Sequence, residues 1–257
     1  MFDVPNFLRR GKGRHLPQQC KESLVEDFWL RKAASRSFLD TALPETVDTL
    51  FIWVPKVAGS SIVSWIRHSI GILEILNVDR ISQLRDPKKS SARTVTFGHQ
   101  NVDSLIYSNL VRHSDIDQLW SFALVRNPYA RAVSVWQYLR LIRIINPKES
   151  LESFLTRVVK QQPRTGIYNQ CGLSMASPQI CWTKQSSWSG PRRIFKVEDL
   201  RTAHNEVGMH LGIENHPISP QNRSAKSSSA YGLSRAEKKL IEDYYSEDFY
   251  EFDYPTG

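Results

Sequence analysis

The sequence predicts an α/β protein of three layers, α/β/α, in which helices cover both faces of a mostly parallel central sheet. Strand and helix patterns follow one another in the order β–α, β, β–α, β–α, which is typical of this class. Two of the strands are continuous apolar runs, as expected when both faces of a parallel sheet are covered. A chain of 257 residues, 40% of them hydrophobic, is long enough for one large domain. We therefore expect residues 46–257 to form a single domain, preceded by a basic lead-in and a helix within residues 1–45.

The individual elements follow from hydrophobic periodicity and from the residues that end each pattern. Strands are expected at Leu50–Val54, Ala92–Phe97, Trp120–Val125 and Arg193–Val197. Helical spacing of apolar residues predicts helices at residues 21–39, 61–70, 102–110, 128–146, 150–162 and 200–211, and a last helix after Ser234. Gly212 is expected to end the sixth of these helices, while Ser234 and Glu237 have the spacing of a capping box. Residues 162–190 lack clear periodicity, which is typical of a loop that handles a ligand.

A corner rich in small residues follows the first strand, with the sequence PKVAGSS at residues 55–61. Pro55 ends the strand, and Ser60 or Ser61 is expected to cap the helix that follows. A helix start at the carboxyl end of a strand attracts anions, because its free N–H groups and its dipole point outward. Lys56 adds a full positive charge. Taken alone, the stretch is equally compatible with an ordinary strand-to-helix corner and a solvated lysine.

A second corner follows the third strand, where Arg126 leaves the strand end. Asn127 is a good N-cap and Pro128 suits the first helical position, so we expect another anion-binding helix start here. Ser134 lies about two turns into this helix, and its hydroxyl could meet the forked guanidinium of Arg126 on one phosphate. Arg131 either joins them or is a solvated surface residue. Two such corners suit a ligand with two separated phosphate-like groups.

Charge and cysteine content limit the function classes. The formal net charge of +8 indicates an anionic partner. The three cysteines, Cys20, Cys171 and Cys181, are too few and too scattered for a disulfide framework or a zinc site. Reduced thiols are favoured, although a Cys171–Cys181 bridge stays open. No apolar run approaches the roughly 20 residues of a membrane span.

The two corners carry a resemblance to a known family. PKVAGSS resembles the 5′-phosphosulfate loop of PAPS-dependent sulfotransferases, and RNPYARAVS at residues 126–134 is similar to their 3′-phosphate motif. In this order the pair resembles the group that contains the heparan and chondroitin O-sulfotransferases and their bacterial relatives, which share a fold like that of P-loop NTPases. Gly98-His99, Pro178-Gln179 and the ending IEDYYSEDFYEFDY are weaker resemblances to the same group. One departure is Val57-Ala58, where many relatives have Thr-Gly.

The resemblance implies a role for each matching residue. Lys56 would contact the 5′-phosphosulfate and neutralise the leaving oxygen, while His99 would act as the general base for the acceptor hydroxyl. The loop that surrounds the 5′-phosphate would comprise Lys56, Val57, Ala58, Gly59, Ser60 and Ser61. Arg126 and Ser134 would bind the 3′-phosphate, and a later loop with Arg223 and Ser224 would close over the cofactor. The plain alternative for His99 is a hydrogen-bonded histidine at a strand end.

The implied reaction is the in-line transfer of a sulfuryl group from PAPS, the co-substrate, to a hydroxyl of a saccharide, with no metal. An acidic saccharide fits the net charge, but the cofactor alone also explains it. About two of five basic residues are expected to line the acceptor cleft: Arg140, Arg143, Lys148, Lys160 and Arg164. Because no signal peptide or membrane anchor is apparent, we expect a cytoplasmic enzyme of the bacterial type, or else a soluble form of a membrane-anchored enzyme.

Two other function classes compete with this interpretation. A P-loop kinase is disfavoured because G-x-x-x-x-G-K-[ST] is absent and the lysine precedes the glycine. A non-catalytic protein that binds nucleotides or other anions is the second alternative. Nucleic acid is not expected as a partner, because no nucleic-acid-binding motif is present and most aromatic residues fall at core spacings.

Overall fold

A parallel sheet forms the centre of the protein. The computed structural model describes residues 43–75, 91–107, 113–162, 173–184, 188, 190–218 and 232–257. In this part of the chain, five strands form the sheet: β1 (Thr49–Ile52), β2 (Leu73–Glu74), β3 (Thr94–Thr96), β4 (Trp120–Val125) and β5 (Arg193–Lys196). Their order is β2-β3-β1-β4-β5, and every neighbouring pair is parallel. The expected α/β class with a mostly parallel sheet is confirmed.

Helices connect and cover the strands. Within the described ranges they are α1 (Gly59–Ser69), α2 (Val102–Tyr107), α3 (His113–Gln118), α4 (Pro128–Leu141), α5 (Leu151–Gln161), α6 (Ile180–Thr183), α7 (Leu200–Leu211), α8 (Arg235–Tyr244) and α9 (Ser246–Glu251). Short 3₁₀ turns occupy Leu173–Ala176 and Val197–Asp199. The helix expected at residues 21–39 lies outside the described residues.

Several element ends agree with the sequence patterns. Strand β4 has the expected bounds, and α7 ends at Gly212, which has the left-handed conformation with φ 73°. Ser234 and Glu237 form the expected capping box at the start of α8. Strand β1 stops at Ile52, earlier than expected, although Trp53 and Val54 remain buried beyond its last ladder pair.

Other expectations were wrong for local physical reasons. Neither Ser60 nor Ser61 caps α1, because the N-cap is Ala58 and no side chain of the described residues takes that role. Helix α4 ends at Leu141 rather than at Pro147, because Arg143 adopts a positive φ of 59° and turns the chain. Strand β2 has only two residues and α3 is largely polar, so neither gave a periodic signal.

The topology places both predicted corners in one crevice. Strands β1 and β4 are neighbours, and the pairing of Ile52 with Ala123 brings their carboxyl ends side by side. After β1 the chain runs to β2 on one side of the sheet, whereas after β4 it runs to β5 on the other. Diverging connections leave a crevice at the carboxyl ends of the two strands, which is where ligands bind in open α/β sheets.

Candidate active site

The loop after β1 is held in an unusual backbone conformation. Lys56 and Ala58 both have positive φ values, 67° and 60°, which residues with a Cβ rarely adopt. Gly59 is fixed by packing instead, because a Cβ there would lie 2.0 Å from Nε1 of Trp53. The amide of Ser61 donates to the carbonyl of Ala58 at 2.9 Å, which closes the turn into α1. No side chain of the described residues caps this helix, so the N–H groups of Gly59 and Ser60 in its first turn are not taken by a cap.

The strained position of Ala58 leads to a stability prediction. We expect Ala58→Gly to stabilise the protein by about 0.5–1 kcal/mol, because glycine adopts positive φ without a steric penalty. The unfolding temperature should rise by about 1–4 °C, measured by calorimetry. The matched control is Ala236→Gly in the first turn of α8, where the same exchange should lower the unfolding temperature. An unchanged or lower unfolding temperature for Ala58→Gly would show that the loop is not strained at this residue.

Lys56 lies against the second corner. Its Nζ is 4.0 Å from the centroid of the Tyr138 ring on α4, a cation–π contact. Burial, and to a smaller extent the nearby positive charge of Arg126, together lower the pKa of Lys56 to about 8. A lysine and an arginine that repel each other in this way form a site suited to an anion between them. The structure therefore brings Lys56 and Arg126 together in one crevice.

His99 follows β3 on the other side of β1. Its Nδ1 is 2.9 Å from the carbonyl oxygen of Trp53, which can only accept, so the hydrogen bond assigns the proton to Nδ1 and the lone pair to Nε2. Burial lowers the pKa of His99 to about 4, and the charges of Lys56 and Arg131 act in the same direction, against the hydrogen bond to Trp53. The imidazole is therefore neutral at pH 7. The hydrogen bond at the strand end, which was the alternative to a catalytic role for His99, is present. It leaves the lone pair on Nε2, the atom that can take up a proton.

The second corner differs from the expected anion-binding helix start. Asn127 caps α4 as expected, but its Oδ1 accepts from the amides of Tyr129 at 3.0 Å and Ala130 at 3.4 Å. Pro128 has no N–H group. The expectation of a backbone anion site at this helix was thus wrong, because the cap itself occupies the donors. Any phosphate held at this corner depends on side chains instead.

Ser134 occupies the face of α4 that looks toward the loop. Arg131 and Tyr138, three residues before it and four after it, both contact the loop: Arg131 donates to the Pro55 carbonyl and Tyr138 holds Lys56. Residues at such spacings share one face of a helix. The half-buried Ser134 therefore lies between the two contacts, and its role beside Arg126 stays a prediction.

Arg131 is buried rather than solvated. It is 1% exposed, and its guanidinium donates to three backbone carbonyls: Pro55 at 3.1 Å, Ser177 at 2.9 Å and Met175 at 2.8 Å. The interpretation of this residue as a surface arginine was wrong. Each of its bonds crosses between distant segments, so Arg131 fixes the Lys56 loop to the segment before α6.

The remaining sequence candidates are placed less closely or not at all. Arg223, Ser224, Arg164 and Cys171 lie outside the described residues. Arg140 stacks on Trp136 at 4.5 Å, while Arg143, Lys148 and Lys160 are exposed, so an acceptor role for these residues stays a prediction. Asp199 caps α7, whereas Glu198 accepts from the amide of Asn127 at 2.9 Å.

The described residues form neither a metal centre nor a membrane span. No group of three or more His, Cys, Asp or Glu residues there is arranged to hold a metal ion. In the same part of the chain, every helix is too short or too polar to cross a bilayer.

The fold and this crevice place the protein in a class: α/β proteins with a basic crevice at the point where the connections of a parallel sheet diverge, here between β1 and β4. Within it, the model of the family described as the sulfotransferase family matches residues 45–255. The chain belongs to the sulfotransferase family, whose enzymes transfer a sulfuryl group. The resemblance seen in the two corners is thereby confirmed at the level of the family.

Solved structures agree on the fold. The crystal structure of a sulfotransferase from Alicyclobacillus acidocaldarius is similar, with 12% sequence identity and a TM-score of 0.52 over 80% of this chain and 94% of that chain. The mouse sulfotransferase SULT7A1 complexed with PAP is similar with 16% identity and a TM-score of 0.55, over 88% of this chain and 91% of that chain. No curated protein sequence matches the chain. At these identities the structural similarity supports the shared fold alone.

Proposed function

We propose that this protein transfers the sulfuryl group of PAPS to a hydroxyl of a saccharide acceptor. The observation that carries the proposal is the shared crevice of Lys56 and Arg126, each of which follows one of the two adjacent strands β1 and β4. PAPS has two anionic groups on one nucleotide, and the crevice offers one cation to each. The PAP in the mouse structure is the product that PAPS leaves after sulfuryl transfer.

Lys56 is assigned to the 5′-phosphosulfate and Arg126 with Ser134 to the 3′-phosphate. The uncapped start of α1 adds the N–H groups of Gly59 and Ser60 for the 5′ group, with the side chains of Ser60 and Ser61 beside them, since the amide of Ser61 already donates to Ala58. Lys56 neutralises the bridging oxygen as the S–O bond breaks. This is electrostatic catalysis of the kind found in phosphoryl transfer, where positioning and charge stabilisation supply most of the rate.

His99 is assigned the role of general base. Its Nε2 takes the proton from the acceptor hydroxyl as the hydroxyl oxygen attacks sulfur, while its Nδ1–H stays on the Trp53 carbonyl. Because Lys56 lowers the pKa of His99, the two groups lie within electrostatic reach of each other. In-line transfer then needs the sulfur between them, with the leaving oxygen on the Lys56 side and the acceptor on the His99 side.

The direct test is transfer of label from ³⁵S-PAPS to a panel of acceptors without metal. The panel contains heparan, chondroitin and dermatan chains, desulfated forms of each, neutral polysaccharides, small sugars and a phenol. The proposal expects a labelled saccharide and no labelled phenol. Labelling of the phenol alone would keep the family and overturn the saccharide assignment, and labelling of nothing in the panel would leave the acceptor outside these classes and also contradict it.

The pKa of Lys56 leads to a prediction for the pH profile. Because the ammonium form is the active one, kcat/KM for PAPS should fall as the pH rises through about 8. Bound phosphosulfate favours the charged form of Lys56 and so raises its pKa. The decrease of kcat with rising pH should therefore occur at a higher pH than the decrease of kcat/KM. Lys56→Arg is the control, because arginine keeps its positive charge over this pH range. The decrease of kcat/KM near pH 8 should be absent from this variant, whatever its rate. A kcat/KM that increases through pH 8 would mean that neutral Lys56 is active, and would contradict its assigned role.

A further inference from the structure

The backbone of Arg126 is held by the side chain of a residue far away in sequence. The Oε1 atom of Gln179 accepts from the amide of Arg126 at 2.8 Å, and its Nε2 donates to the carbonyl of the same residue at 2.9 Å. One side-chain amide thereby pairs with both polar groups of one residue, as a neighbouring strand would. This pairing comes directly after the last residue of β4, where the sheet ladder no longer fixes the chain.

Gln179 is itself held by the C-terminal part of the chain. Oδ2 of Asp248 on α9 accepts from the Gln179 amide at 2.8 Å and from its Nε2 at 3.3 Å. Oδ1 of Asp248 accepts from the amide of Ile180 at 3.0 Å, at the start of α6. Both Asp248 and Gln179 are 0% exposed. Every partner of the carboxylate is a donor, so the network is complete only when Asp248 is charged.

A second set of hydrogen bonds joins the C-terminal part of the chain to Asn127, the residue that follows Arg126. The hydroxyl of Tyr254 donates to Oε2 of Glu198 at 2.8 Å, while Oε1 of Glu198 accepts from the amide of Asn127 at 2.9 Å. The C-terminal tail, residues 246–257, thus reaches the two consecutive residues Arg126 and Asn127 by independent routes. Neither route uses the side chain of Arg126.

We propose that Gln179 and Asp248 are positioning residues for Arg126, and that they make recognition of the 3′-phosphate depend on the C-terminal tail. This inference rests on the proposed function. A guanidinium can meet a phosphate with two parallel hydrogen bonds only when its Cα–Cβ bond points correctly, and that direction is set by the backbone of Arg126. Since the helix start of α4 is already capped by Asn127, the phosphate at this corner depends on the side chains of Arg126 and Ser134.

The test compares two ligands that differ only in the 3′-phosphate. Calorimetry measures the dissociation constants of adenosine 3′,5′-bisphosphate and of AMP for the wild type, Gln179→Met and Asp248→Asn. We expect the affinity for the bisphosphate to fall about tenfold to hundredfold in both variants, by analogy with the range found when residues that orient metal ligands are lost. The affinity for AMP should stay within about twofold, and KM for PAPS should rise while kcat at saturating PAPS is retained.

Two further variants separate positioning from general stability. Tyr245→Phe is the matched control: it deletes a buried hydrogen bond to the Ala176 carbonyl, of 2.7 Å, from the same region, yet the bond has no connection to Arg126. It should lower the unfolding temperature and leave the ratio of the two affinities unchanged. Tyr254→Phe removes only a half-buried hydrogen bond, so this variant is expected to fold even if the other variants do not. Its ratio of the affinity for the bisphosphate to the affinity for AMP should be about threefold lower than that of the wild type.

The outcomes distinguish the inference from the function on which it rests. If the wild type binds the bisphosphate no better than AMP, the proposed function fails, and the inference with it. If the wild type discriminates but the folded variants keep its ratio, the proposed function stands and the inference is overturned. An equal fall in the affinities for the bisphosphate and for AMP would also overturn the inference, because Gln179 and Asp248 would then stabilise only the fold.

Discussion

Replacing Lys56 with methionine should lower kcat for sulfuryl transfer about 10³-fold, the upper range for loss of one charge-stabilising group from a water-poor site. The effect is large because the ammonium is largely desolvated beside Tyr138 and acts where negative charge develops as the S–O bond breaks. Affinity for adenosine 3′,5′-bisphosphate should fall far less, since Arg126 and the start of α1 remain. Methionine is an unbranched side chain only one atom shorter and has the same requirement for a positive φ, so we expect the loop conformation to be kept.

The control for this variant is Lys239→Met, which removes an exposed lysine whose ion pair with Asp243 lies on one face of α8. Its kcat should equal that of the wild type. Rates are measured with ³⁵S-PAPS and the acceptor found in the panel, and circular dichroism verifies the fold. If Lys56→Met retained more than a tenth of the wild-type kcat, Lys56 would not stabilise the leaving group.

His99→Asn should lower kcat about 10²–10⁴-fold, the usual contribution of general base catalysis. The substitution is chosen because the amide nitrogen of asparagine lies near the position of Nδ1 and can still donate to the Trp53 carbonyl, which at 2.9 Å is the bond that orients the ring. What it removes is Nε2, the only atom to which the mechanism assigns the proton. KM for PAPS should change little, because His99 is assigned to the acceptor side of the sulfur.

A chemical test accompanies this variant. An acceptor whose hydroxyl is more acidic needs less help from a base, so the deficit of His99→Asn should shrink as acceptor pKa falls. His99→Gln provides the comparison, because its longer amide places a nitrogen near Nε2 but leaves the Trp53 carbonyl without the Nδ1 donor. Near-normal turnover of His99→Asn would refute the role of His99 as base while leaving the family assignment intact.

Local chemistry explains which parts of the fold could be predicted from the sequence. Strand β4, the cap at Asn127, the end of α7 at Gly212 and the capping box at Ser234 depend on residues within a few positions of one another, and all were confirmed. The start of α1 was wrong because two serines suggested side-chain capping, whereas the chain uses a left-handed Ala58. A backbone conformation that the residue itself disfavours leaves no sequence signal.

The same limit applies to the site. Lys56 and Arg126 were predicted because each follows a recognisable strand, and parallel strands end at one edge of a sheet. His99 came from the family resemblance, and the roles of all three residues stay predictions. Arg131 was misjudged because its three acceptors are carbonyls of residues as far away as Pro55 and Ser177, and a backbone carbonyl is the same in every residue. Tyr138 and Asp248 were missed for the related reason that their partners meet them only in the folded chain.

The segment before and within α6 illustrates how much the site depends on such contacts. It had no periodicity, yet Gln179 holds the backbone of Arg126, and the indole of Trp182 donates to the carbonyl of His99 at 3.0 Å. Met175 and Ser177 accept from Arg131, which also holds the Lys56 loop. This segment thus contacts Arg126 and His99 directly and is joined to the Lys56 loop through Arg131.

The most direct measurement is a crystal structure of the protein with adenosine 3′,5′-bisphosphate, grown without divalent metal. We expect one nucleotide in the crevice between the ends of β1 and β4, with its 5′-phosphate on Lys56 and the first turn of α1 and its 3′-phosphate on Arg126 and Ser134. A nucleotide bound elsewhere, or one whose 3′-phosphate has no contact with Arg126, would refute the shared nucleotide site of Lys56 and Arg126.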